Sequence, residues 1–366
     1  DNLTLGSSGA LDVTGSTLSV SGALDLSSGT FISSDNNSML DLQAATTLSA
    51  NDQVTGQDPV TFEDVHFNGN VLTLGSASTH LKVNDNLTLS GIALETGAGS
   101  LTLSGALALT DNASLNSSGG TITLKSGGTS TGSVVSLPGT TLVLEKALSL
   151  TGATLKTNGT TFTTNANALT LSGGILEVAG VQDLSGVLPD NSTTLRLAAN
   201  STIDDNASLS VGTLDLANFA LTLDDNMSRL SIAQPVTLDA SGEQIVTGAA
   251  DLSLNGGISA TSGTLSSTGG IVSASNLSAG AAGIINFQGG TLSLPGGATL
   301  ANGASFSTSN TTLNLGGSLA VAGTWSGSNT TSISLTTDNA SLSSTVALSL
   351  ASLQTNGHDF ELASAT

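Results

Sequence analysis

Thr291-Leu292-Ser293-Leu294, Thr312-Leu313-Asn314-Leu315 and Ser332-Ile333-Ser334-Leu335 repeat one pattern, with Leu292, Leu313 and Ile333 separated by 21 and 20 residues. Each contains an apolar-polar-apolar triplet, the minimal half-buried strand, because alternate side chains of a strand share a face. Two further series interleave with the first. Ala298, Leu319 and Ala340 step by 21 and 21, and Phe306, Trp325 and Val346 step by 19 and 21. Three series with one period of about 20 residues predict three strands per coil and a roughly triangular cross-section. The period is present upstream as well, at Leu101, Ile122 and Leu142 and at Leu148 and Leu169, and Leu3-Thr4-Leu5 and Leu221-Thr222-Leu223 carry the same triplet. The expected fold is an all-β, right-handed parallel β-helix, the hand following from the usual hand of parallel crossovers. It is read as a single β-solenoid over 1–366, with irregular coils or loop insertions near 51–70 and 181–194, where Pro189 marks a loop.

Composition agrees with that reading. Thr, Ser, Asn and Gly lower helix propensity, and the straight-chain charged residues that solvate helices are scarce. Apolar residues make up 38% of the chain, enough to argue against disorder. The formal charge of −21, from 27 acids against 6 bases, makes a phosphate backbone or an anionic lipid surface repulsive, so no nucleic-acid partner is expected. No apolar run is long enough to span a bilayer. The absence of Cys removes disulfides and thiolate sites from consideration. The chain opens on Asp1-Asn2-Leu3 without a signal-peptide pattern, as expected of a processed or excised segment.

In stacked coils, outward residues also stack, about 4.8 Å apart. Like charges there would repel by about 1 kcal/mol even in water, which accounts for the 9% charged content. Corners need residues that tolerate positive φ. The recurring Asp85-Asn86, Asp111-Asn112, Asp205-Asn206, Asp225-Asn226 and Asp338-Asn339 are read as supplying them by Asx-turn chemistry. Clustered oxygens of this kind would also bind Ca2+ weakly, but the glycine-rich nonapeptide calcium repeat is missing, and no cofactor is expected.

Gly119-Gly120-Thr121-Ile122-Thr123-Leu124 and Gly289-Gly290-Thr291-Leu292-Ser293-Leu294 resemble the repeats of autotransporter passengers and filamentous-haemagglutinin-type adhesins. The likeness covers most of the chain and implies secretion by a Gram-negative bacterium and display outside the cell or on its surface. It carries no catalytic fingerprint.

Chemical variety is concentrated between Asn51 and Asn70, where Asp52, Asp58, Glu63, Asp64 and His66 lie beside Phe62 and Phe67. These seven residues form the candidate binding loop, an irregular coil or loop insertion read as a carbohydrate or metal subsite, and a glycan or protein of the host or cell surface is the expected partner. Catalysis is not expected. A glycan-cleaving β-helix needs paired carboxylates with Arg or Lys along one groove. Here Arg196, between Leu195 and Leu197, should point to solvent alone. His66, His80 and His358 show no ligand spacing. Thr-rich faces suggest ice binding, but the Thr positions do not fall into one column in the sequence.

The expected role is therefore structural or adhesive, in a secreted or cell-surface protein. The final Phe360-Glu361-Leu362 still reads as a strand, and an open end would template pairing, so end-to-end assembly into a filament is the alternative. A glycan-active enzyme, dependent on Asp64 and His66, is the third reading.

Overall fold

A computed structural model describes the chain except residues 1, 27, 29, 33–37, 51–59, 205–207, 225–228, 328, 339 and 364–366. Among the described residues there is no helix, and every strand pairing is parallel, in turns of about 20 residues. The contacts cluster into two compact units, Asp1–Glu177 with Ser185–Leu188, and Val178–Leu184 with Pro189–Thr366. Each is a three-sided β-solenoid.

In the first unit, one face is a continuous ladder from Leu3–Thr4 through Leu24–Leu26, Thr46–Ala50, Leu72–Leu74 and Ala93–Gly97 to Thr154–Asn158. The second face runs from Val60–Phe62 through His80–Val83, Ser100–Leu103, Thr121–Leu124 and Thr141–Leu144 to Thr161–Thr163. The third includes Leu87–Ser90, Leu107–Thr110, Gly128–Thr131, Leu148–Thr151 and Leu169–Ser172. The turns nearest the N-terminus form separate small sheets on the second and third faces. Ala10–Asp12 pairs with Thr30–Ile32, while Thr17–Val20, Met39–Leu42 and Asp64–His66 form a three-stranded sheet.

The triplets face as their pattern requires. Leu101, Leu103, Leu313 and Leu315 are buried, and Leu292 stacks on Leu313, which stacks on Ile333. Phe306 likewise lies against Trp325, the rings edge-on at 4.7 Å. Burial of each such Leu contributes about 1.5–3 kcal/mol. Two parts of the expected series are corrected. Leu319 pairs with Leu342 rather than Ala340, a slip of two residues that keeps an apolar side chain inward. Val346 lies outside any strand and is only half-buried, so the Phe306 series stops at Trp325.

The strand Thr46–Ala50 shows the same slip. Its last three residues pair with the turn below, Leu48 with Leu24, while its first three pair with the turn above, Thr46 with Leu72 and Leu48 with Leu74.

Corners use two devices. At Asp111-Asn112 both residues have positive φ, 56° and 61°, as expected. Asp85-Asn86 and Asp338 do not, which corrects the reading of those corners. Instead Asp85 Oδ1 accepts from the Asn86 amide at 2.7 Å, and Asn86 Oδ1 accepts from the Ala106 amide one turn on, also at 2.7 Å. Asp205-Asn206, Asp225-Asn226 and Asn339 lie outside the described residues. Gly290 shows why the triplets follow Gly-Gly: its φ is 72°, and a Cβ there would meet the Gly270 carbonyl at 2.3 Å.

Outward strand columns are mostly neutral and several charges in them are opposed, whereas at one corner Asp183, Asp204 and Asp224 follow one another in successive turns. Arg196 is not alone in solvent: its register partner is Asp215, Nε to Oδ2 2.9 Å. Lys156 and Glu177 approach to 3.4 Å, and Asn116 donates to Glu95 at 2.7 Å. Thr residues stand in several short columns on two faces rather than in one. Thr121, Thr141 and Thr161 are stacked, Thr131 lies on Thr151, and Ser149 lies on Thr170. The spacing wanders by a residue along the chain, but hydrogen-bond register restores the alignment.

In the stretch near 181–194, Ile175–Gln182, the short strand Val187–Pro189 and Thr194–Ile203 are all extended.

Candidate functional site

The third face of the first unit is interrupted between two successive turns. Asp64–His66 is the last strand of the three-stranded sheet, and Leu87–Ser90 is the first strand of the next sheet, with no pairing between them. Corner length accounts for the parting. A single residue, Glu63, separates Val60–Phe62 from Asp64–His66, whereas Asn84, Asp85 and Asn86 separate His80–Val83 from Leu87–Ser90. The earlier strand therefore turns onto the third face sooner than its successor. The two-residue slip at Thr46–Ala50 lies in the same pair of turns.

An open depression of about 470 Å³ occupies the parting, lined among others by Asp64, His66, Phe67, Asn86, Thr88 and Ile92. Phe67 is buried beneath it, Ile92 is half-buried, and Thr88 and Ser90 project their side chains to solvent. His66 Nε2 lies 2.9 Å from Asp64 Oδ2. Asp64 Oδ1 accepts from the Val65 amide at 2.7 Å, so this edge of the parting caps one of its own backbone donors.

One turn below, Asp41 is the register partner of His66. Its carboxylate accepts from Ser19 Oγ at 3.0 Å, Gln43 Nε2 at 2.6 Å and Asn68 Nδ2 at 2.6 Å. The Ser19 hydroxyl above all holds the Asp41 carboxyl below the ordinary carboxylate value, opposed by modest desolvation and aided by Asn68, Gln43 and the field of His66. Asn68 and Asn70 both donate to the Leu42 carbonyl, at 3.2 and 3.0 Å, which pins the turn after His66.

Of the seven residues singled out in the sequence, Asp64, His66 and Phe67 meet at the depression. Phe62 does not: it is core, its ring 5.4 Å from that of Phe31. Glu63 belongs to a corner column, its amide donating to the Ser38 carbonyl and its carbonyl accepting from the Asp85 amide, both at 2.8 Å. Glu63 Oε2 and Ser38 Oγ are buried without hydrogen-bond partners. Asp52 and Asp58 lie outside the described residues. Sequence reading missed Asn86, Thr88, Ser90 and Ile92 because they belong to the following coil, and only the coil period could have signalled that they stand above His66.

The other histidines have their own neighbours, His80 with Thr102 at 2.9 Å and His358 with Asp338 at 3.0 Å. Among the described residues no group of three or more His, Asp or Glu is arranged to hold a metal ion. No family model matches the chain, and neither a curated protein nor a solved structure matches it.

Proposed function

We propose that the chain is a structural and adhesive β-solenoid segment of a secreted or cell-surface bacterial protein, with its binding site in the depression between Asp64–His66 and Leu87–Ser90. The observation that carries this reading is the interruption itself. It places a His-carboxylate pair, a buried ring and an exposed strand edge in one hollow on a scaffold stiffened by in-register apolar columns. The resemblance to surface-adhesin repeats supports the placement outside the cell. The test is adherence of the 366-residue chain to host cells or matrix. Ile92→Asp and His66→Ala, with unchanged melting, should abolish it, and undiminished adherence by both variants would refute the site.

A second reading has its own observation, the stacked hydroxyls. On the third face of the first unit the columns Thr129, Ser149, Thr170 and Thr131, Thr151, Ser172 set neutral hydroxyl side chains about 4.8 Å apart between turns and about 7 Å apart along each strand, a spacing that suits an ordered water layer or ice. Inhibition of ice recrystallisation by the protein, lost in Thr131→Lys with Thr151→Lys, tests it; no inhibition by the unaltered chain ends this reading.

A further inference from the structure

We infer that the edge of Leu87–Ser90 is a docking slot for an extended peptide strand bearing a basic side chain. The inference rests on the depression being a binding site and names its ligand class.

The argument begins with where backbone groups point. The amides of Leu87 and Gly91 donate to the carbonyls of Ala106 and Thr110 in the next turn, at 2.9 and 3.1 Å. Backbone direction alternates along a strand, so Leu89 faces the same way, and the N–H and C=O groups of Thr88 and Ser90 face the opposite edge. That edge borders the parting, where no strand pairs with it. Two donors and two acceptors thus stand in a row in a hollow large enough for a few extended residues.

The opposite wall offers less. Val65 N–H is taken by Asp64 Oδ1, and the Phe67 carbonyl accepts from the Asn70 amide at 2.8 Å. This asymmetry directs strand addition to the Leu87–Ser90 side. An extended peptide also fits better than a sugar ring, because its own donors and acceptors alternate with the spacing of the edge.

Charge selects among peptides. Asp64 lines the hollow, Asp41 lies beneath His66, and the whole chain carries −21. A strand with Lys or Arg is drawn in, and an acidic one is repelled.

The probe is a fluorescent heptapeptide of alternating valine and threonine with a central lysine, titrated against the 366-residue protein. Saturable binding is expected, weaker at high salt and lost when the lysine is replaced by glutamate. N-methylation of the peptide amides in one alternate frame should weaken binding by about tenfold, and in the other frame should leave it unchanged. Hydrogen exchange should show the Thr88 and Ser90 amides becoming protected on binding. Thr88→Pro removes an edge donor that takes no part in the existing ladder and should weaken binding similarly; the exchange and N-methylation results stand even if that variant folds poorly.

Equal effects of the two N-methylation frames, no protection of Thr88 and Ser90, or no saturable binding would overturn the slot. Binding of neutral cello- or chito-oligosaccharides at the depression in place of the peptide would do the same. If Ile92→Asp still abolishes adherence in those cases, the adhesive reading survives without the peptide. If the peptide protects Thr88 and Ser90 while adherence ignores Ile92→Asp, the slot stands and the adhesive reading falls.

Discussion

Asp41 lies directly beneath His66 in the ladder of the third face, and three neutral side chains, Ser19, Gln43 and Asn68, donate to its carboxylate. The charged form is thereby favoured in the folded state, and the carboxyl titrates below its ordinary 3.8. A depressed carboxylate stabilises the fold fully above the unfolded value and loses that contribution as pH falls through the folded one. Asp41→Asn should therefore lower the melting temperature at neutral pH, and the gap from the unaltered chain should close below the ordinary carboxylate value. Thermal unfolding across pH checks this; a gap that persists into strong acid would contradict it.

Leu313 is fully buried between Leu292 and Ile333. Leu313→Ala leaves a cavity and should cost about 2–5 kcal/mol, and Leu313→Asp, an unpaired charge in the column, at least as much. By contrast Ile271, which is 49% exposed, should tolerate Thr within about 0.5 kcal/mol. Denaturant unfolding distinguishes them, and a mild Leu313→Asp would mean that the facing is wrong.

Arg196 and Asp215 are both well exposed, so their 2.9 Å contact is screened by water. A double-mutant cycle should give a coupling below about 1 kcal/mol that shrinks as salt is added. A larger, salt-insensitive coupling would show that outward charge pairs hold the turns together, which the neutral columns do not require.

Gly290 tests the corners. An alanine there combines positive φ with a contact of 2.3 Å to backbone, and Gly290→Ala should cost about 1–3 kcal/mol. Melting within error of the unaltered protein would show that the corner can open.

Much of this molecule was legible without coordinates. Alternation in Leu101-Thr102-Leu103 and its repetition at Ile122 and Leu142 specify strands, their inward faces and the stacking partner one period on, because a one-residue slip would turn every Leu outward. A slip of two residues preserves the faces and is invisible to the pattern. For that reason Leu342 rather than Ala340 over Leu319, and the double register of Thr46–Ala50, emerged only from the tertiary structure.

The depression belongs to the same class. Asp64, His66 and Phe67 were conspicuous as residue types, but their neighbours Thr88, Ser90 and Ile92 look like any other corner and strand. Which residues share a hollow depends on how a one-residue corner at Glu63 and a three-residue corner at Asn84 to Asn86 aim successive strands. Local sequence determined that the chain would coil, since side-chain alternation and turn chemistry act over a few residues. The three-dimensional stacking alone decided where the ladder parts, because register is settled by the competition of whole turns for the same partners.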